Sequence, residues 1–177
     1  LPALLPVEAS QAVGNGLASL GVTFHFGVSV QAVYDEGEGV RAVLSDGTEI
    51  KGDMVLSAIG LRPRIALAKD AGLTVNRGIV VNKTLATSQP DIYALGDCAE
   101  VEGLVLPYVL PLMAGARALA KTLSGQETAL SYPAMPVQVK TPVCPVVVAP
   151  VFPSMQGEWH LEAQDGNNVK MLFKNAE

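Results

Sequence analysis

The chain has 177 residues, 12 Lys and Arg against 17 Asp and Glu for a formal charge of −5, and 49% apolar residues. That is enough for one ordinary domain or two small ones with a real core, and it excludes a disordered chain. The acidity argues against a nucleic-acid or anionic-membrane binder, which wants a basic face, and no apolar run of ~18 residues lacks a charge or breaker, so no membrane span is expected.

The opening LPALLPVEAS has no positive n-region and is not a signal peptide. Residue 1 is Leu, and the ending KMLFKNAE stops in mid-hairpin, so the sequence is expected to be a piece of a longer protein. Val7 to Leu20 carries apolar residues at helical spacing, with Gly21 at the C-cap. Val22 to Phe26 alternates like a strand. Val28–Tyr34, Val40–Leu44 and Thr48–Lys51, separated by turns at Asp35–Gly39 and Ser45–Gly47, predict an antiparallel meander. Met54 to Ile59 is a continuous uncharged run, as expected of a strand buried on both faces.

Ile65 to Ala71 predicts a short helix and Gly78 to Val81 a strand. Ile92 to Leu95 predicts another buried strand, ending at Gly96-Asp97. Leu112 to Leu123 is the strongest helix, stopped by Gly125. Six of the twelve prolines lie between Pro133 and Pro153, which predicts extended chain at a sheet edge or in a crossing segment. Glu158–Ala163 and Asn168–Lys174 predict a hairpin around Asp165-Gly-Asn. Between Pro107 and Pro153 only Arg117, Lys121, Glu127 and Lys140 are charged, so this stretch is expected to be core or covered by a partner.

Three features carry chemistry. The first is Thr87-Ser-Gln-Pro-Asp-Ile-Tyr-Ala-Leu-Gly-Asp97, a short hydrophobic strand that delivers a glycine and an aspartate at its carboxyl end, where ligands of open α/β sheets sit. Gly96 permits a close approach, and Asp97 offers an acceptor for a sugar or polyol hydroxyl. The alternative is that Asp97 merely caps a helix. The second is Leu56-Ser-Ala-Ile-Gly-Leu-Arg-Pro63, where small residues let a cofactor lie against backbone. An ordinary strand–loop–helix joint is the plainer explanation. The third is Leu106 to Ala120, a proline-bounded loop opening an Ala-rich helix, whose N-terminus favours negative charge. A plain buried helix explains its composition equally well.

The pattern Thr-x4-Ile-Tyr-Ala-Leu-Gly-Asp resembles the second flavin motif of the FAD-dependent pyridine nucleotide-disulfide oxidoreductase superfamily. Ala58-Ile59-Gly60 resembles its Ala-Thr-Gly-type motif, with Ile in the middle position. The Asp97–Leu104 segment, the Leu-Pro-Tyr-Val-Leu-Pro-Leu-Met run and Met135–Pro145 narrow the resemblance to the rubredoxin-reducing members. The resemblance implies an α/β fold: parts of two Rossmann-like nucleotide-binding domains with a β-meander, then the start of a C-terminal α+β domain. The implied divisions are 1–60 in the NAD(P) domain, 61–127 returning to the FAD domain, and 128–177 in the C-terminal domain.

It also implies electron transfer from NAD(P)H via FAD to rubredoxin or a similar small electron-transfer protein, while the two cysteines, read as reduced thiols, suggest a cytosolic protein. Asp97 would anchor the FAD ribityl chain beside Gly96, and Ala58, Ile59 and Gly60 would line the boundary between cofactors. Pro111 and Leu112, opening the helix, and Lys140 would lie near the flavin ring. Lys140 on its own residues could equally be a lysine snorkelling to water. No catalytic side chain and no metal site is expected. Ferredoxin reductases, nitrite reductase flavin subunits and NADH oxidases are the alternatives within the superfamily, and a non-catalytic partner-binding remnant is the alternative outside it.

No Gly-x-Gly-x-x-Gly occurs in the sequence, so both dinucleotide loops are expected to precede residue 1 in a longer parent, and the chain alone is expected to bind neither cofactor well. Cys98 and Cys144 make neither a disulfide framework nor a zinc pattern and read as reduced, buried fillers. His25 and His160 read as structural. Arg62, Arg64, Lys69, Arg77 and Lys83 read as a solvated basic face, or else as a docking patch for an acidic electron-transfer protein.

Overall fold

A computed structural model describes residues 4–133, 135–151 and 155–175. In chain order its elements are α1 (Val7–Ala18), β1 (Val30–Asp35), β2 (Val40–Leu44), β3 (Glu49–Gly52), α2 (Ala66–Asp70), β4 (Ile79–Val81), a 3₁₀ turn (Gly96–Cys98), β5 (Ala99–Val101), α3 (Val109–Leu123), β6 (Val137–Val139), β7 (Val146–Val148), β8 (Gly157–Asp165) and β9 (Asn168–Asn175). The fold is mixed α/β with small sheets. The chain divides into two compact units, Leu1–Ala58 with Pro136–Glu177, and Ile59–Met135.

In the first unit, β1, β2 and β3 form the expected antiparallel meander. Its turns are held by side chains: Asp35 accepts from the Gly37 N–H at 2.8 Å, and Asp46 from the Thr48 N–H at 2.9 Å. Arg41 on β2 bonds Glu36 and Glu49 and lies 4.6 Å over the Tyr34 ring. The Arg41 and Lys51 cations hold the Glu36 carboxyl below its ordinary range. β6 pairs with β7, and β8 pairs with β9, where Trp159 meets Phe173 edge to face at 5.5 Å. Leu5, Val13 and Val148 form this unit's small core, with Trp159 and Val137 against it. α1 runs close along Val143 and Cys144: a Cβ at Gly16 would stand 3.2 Å from both.

In the second unit β4 and β5 form a parallel pair, Ile79↔Ala99, Val80↔Glu100 and Val81↔Val101. α3 covers it, and Val81, Leu85, Ala94, Ala99, Val101, Ala118, Leu119 and Leu130 are buried together. α3 begins three residues earlier than its pattern predicts. Pro111 sits in its first turn, where a missing N–H costs nothing. Leu85, 1% exposed, has φ of +65°, a left-handed conformation that costs a branched residue roughly 1–2 kcal/mol. Asn82 holds it there: its carboxamide oxygen accepts from Thr84 N–H at 2.9 Å, Thr84 O–H at 2.8 Å and Ala86 N–H at 3.0 Å. Burying the leucine returns about 1.5–3 kcal/mol.

Three predicted strands do not form. Val22–Phe26 is irregular, although Phe24 and Phe26 still project to one side and stack at 5.3 Å. Met54–Ile59 is irregular and exposed rather than buried on both faces, with Met54 84%, Leu56 83% and Ile59 88% exposed. Ile92–Leu95 makes one isolated bridge, Ala86↔Tyr93, and Ile92 is exposed. A strand exists through its ladder, and among the described residues no neighbour offers 22–26 or 54–59 a row of partners. The charge-poor stretch after Pro107 is only partly core: Leu119 and Leu130 are buried, whereas Val109 and Val147 are exposed. The predicted proline-rich edge is the β6–β7 pair, and residues 152–154 at its end lie outside the described residues.

Candidate functional site: the Gly96–Asp97 turn and its cleft

The extended segment ending at Leu95 breaks into the 3₁₀ turn because Gly96 adopts φ of +80°, which few other residues tolerate. The glycine is also pressed from one side. A Cβ at position 96 would stand 3.4 Å from Leu112 Cδ1 on α3. Gly96, Pro111, Leu112 and Gly115 meet around a gap of only about 10 Å³, no more than one water fills. That side of the turn is packed.

The other side opens. Asp97 is exposed, and with Cys98 it lines a cleft of about 300 Å³ that Leu61, Arg62, Pro63, Arg64, Val105 and Pro107 also line. The donor set is informative. A carboxylate accepts from hydroxyls, two guanidinium groups suit phosphate oxygens, and the turn has no Cβ at position 96 to block approach. A cofactor bearing both a polyol chain and phosphates fits these residues. Arg62 and Arg64 are exposed, and both also line the cleft.

Behind the turn lies a buried carboxylate that the sequence reading passed over. Glu100, 4% exposed, accepts from the Gly78 N–H at 2.9 Å and from the Asn76 side chain at 3.0 Å. Burial pushes its carboxyl upward, but the donors at Gly78, Asn76 and Arg77, with the Arg77 charge, outweigh burial and leave it below its ordinary value. A glutamate inside a strand has no distinctive periodicity, so only its partners reveal it.

The remaining expected site residues lie elsewhere. Ala58 ends the first segment of the first unit, and Ile59 and Gly60, with φ of +91° at Gly60, open the second unit; all three are exposed. Lys140 is exposed after β6 in the first unit. Cys98 and Cys144 are free and half-buried rather than buried fillers. The Cys98 thiol donates to the Leu95 carbonyl at 3.6 Å. His25 and His160 are exposed. Among the described residues no cluster of three or more His, Cys, Asp or Glu is placed to hold a metal, and no helix is long and apolar enough to cross a membrane.

The fold is that of the pyridine nucleotide-disulphide oxidoreductases: residues 1–122 match that family, and the chain belongs to it. Residues 129–177 match the rubredoxin binding C-terminal domain. The chain is 62% identical to a rubredoxin-NAD(+) reductase of Alcanivorax borkumensis, over 99% of this chain and 46% of that protein. It is 46% identical to a rubredoxin-NAD(+) reductase of Acinetobacter baylyi, over 96% of this chain and 44% of that protein. The chain therefore spans about half the length of the curated relatives it matches. The covalent putidaredoxin reductase–putidaredoxin complex shares its fold, with a TM-score of 0.79 and 22% identity over 98% of this chain and 43% of that one.

Proposed function

We propose that this chain serves an FAD-dependent NAD(P)H oxidoreductase whose electrons leave to rubredoxin or a similar small electron-transfer protein. The observation that carries this reading is the order of the two family matches, an oxidoreductase segment over 1–122 followed by a rubredoxin binding domain over 129–177. When bound, FAD supplies the exchange of a hydride's electron pair for single electrons. The chain's own residues bind and orient. Asp97 would accept from a hydroxyl of the FAD chain, Gly96 would leave the approach clear, and Arg62 and Arg64 would supply cations for the phosphates. Ala58, Ile59 and Gly60 line the boundary between the two cofactors. The first turn of α3, with Pro111 and Leu112, would favour negative charge on the bound flavin. No side chain acts as acid, base or nucleophile.

By itself the chain is inactive and binds both cofactors weakly, because it has no Gly-x-Gly-x-x-Gly loop to receive a pyrophosphate. Its two free thiols suit the reducing cytoplasm. The test is rubredoxin reduction by NADH and by NADPH, followed by loss of visible absorbance, in the FAD-loaded protein that carries this chain. Ferredoxin serves as the competing acceptor. Rubredoxin is expected to be reduced faster. Equal rates with ferredoxin reject the acceptor, and FAD retained by Asp97→Asn through gel filtration rejects the anchor.

A further inference from the structure

Among the described residues Glu100 is the one polar or charged residue that is buried, and nothing in the cofactor reading uses it. It lies three positions beyond Asp97. We propose that Glu100 is the positioning residue of the Asp97 cleft: its carboxylate clamps the Asn76–Gly78 loop beneath the Gly96–Cys98 turn and so sets where the turn presents Asp97. The proposal rests on the reading that Asp97 anchors the cofactor.

Three observations carry it. First, the clamp is two-pronged, with one carboxylate oxygen on the Gly78 N–H and the other on the Asn76 amide, while Asn76 N–H closes the loop on the Gly78 carbonyl at 2.8 Å. Second, the loop is in direct contact with the turn. A Cβ at Gly78 would stand 2.9 Å from the Cys98 carbonyl oxygen, 3.0 Å from Glu100 Cβ and 3.1 Å from the Ala99 carbonyl carbon. Cys98 ends the turn that Gly96 begins, so a shift of residue 78 reaches the turn through backbone. Third, the strand pair cannot set this geometry alone. β4 and β5 are three residues each, and so short a two-stranded pair is marginal by itself. An apolar residue at 100 would satisfy burial equally well but leave the Gly78 N–H without its acceptor.

The test is amide hydrogen exchange by NMR on the 177-residue chain. In Glu100→Met the amide of Ala99, which bonds the Gly96 carbonyl across the turn, is expected to exchange about tenfold faster relative to the rest of the second unit. Glu100→Gln recovers most of the protection, because its oxygen still accepts from Gly78 and the Asn76 amide can turn its own oxygen to the new NH2. Leu119→Ala loosens the same core without touching the clamp and speeds exchange across the unit evenly. If Glu100→Met does not fold, Asn76→Ala removes one prong at an exposed position and should give the same local pattern at about threefold. Even acceleration across the unit in the Glu100 and Asn76 variants overturns the proposal. Asp97→Asn separates the two ideas. It should leave exchange in the turn unchanged while abolishing whatever quenching of added FAD the unaltered chain shows. Unchanged quenching strikes at the anchor and leaves the clamp standing.

Discussion

Ala99–Val101 and Met54–Ile59 reverse what their compositions promise. The first has a glutamate at its centre and is buried at all three positions; the second is six uncharged residues and is exposed along its length. Ala99–Val101 has a parallel partner on one edge, a helix over one face and two donors for its carboxylate. Met54–Ile59 has no ladder among the described residues. Burial is thus a property of the neighbours. A charged side chain can go inside when donors wait for it, and an apolar run stays outside when nothing covers it.

Substitutions can break this contrast, and Leu85 offers the largest effect. Leu85→Ala leaves a hole in the core while keeping the left-handed backbone cost, so a loss of about 2–5 kcal/mol is expected in urea unfolding. A loss below about 1 kcal/mol would mean that the second unit packs far more loosely than described. Gly78→Ala comes next, at about 1–3 kcal/mol, because the new methyl meets backbone that cannot turn aside. An unchanged urea midpoint would refute the close contact with Cys98.

Acid unfolding sharpens the comparison through Glu100. Its folded carboxyl lies below the ordinary value of 4.5, so the unfolded chain takes up the proton more readily. The stabilisation is present in full above that value and disappears as pH falls through the folded pKa. Glu36 shifts in the same direction on the exposed meander, chiefly through Arg41. Stability measured from pH 7 downward should therefore fall less steeply in Glu100→Gln than in the unaltered chain, and an identical slope would show that Glu100 does not contribute. The Glu36 contribution should fade with added salt, whereas that of Glu100 should persist. The smallest effect belongs to Leu56→Ala, within about 0.5 kcal/mol, since its side chain is already in water. A larger loss in the same urea titration would reveal contacts around 54–61 that the structure does not contain.

Much was legible because the signals were local. The α1 and α3 patterns, the Asp-Gly turns of the meander and the β8–β9 hairpin needed only nearby residues to form. The Gly96-Asp97 turn was legible for the same reason, since the glycine's backbone freedom is intrinsic. What failed depended on remote partners: the strands predicted at 22–26 and 54–59, the place of Arg62 and Arg64 in the cleft with Asp97, and the strand Ala99–Val101 itself. Leu85 belongs to this group, because a non-glycine left-handed residue is stable only through the Asn82 bonds and the core beneath α3.

The sequence by itself determined the α/β class, the turn that carries Asp97 and the resemblance to a flavin-dependent oxidoreductase, because these rest on residue types at short spacing. Only the tertiary structure decided that one side of Gly96 is packed by α3 while the other opens on two arginines, and that Glu100 is clamped beneath. Those outcomes depend on which atoms meet between residues far apart in the chain, and no short-range pattern encodes that meeting.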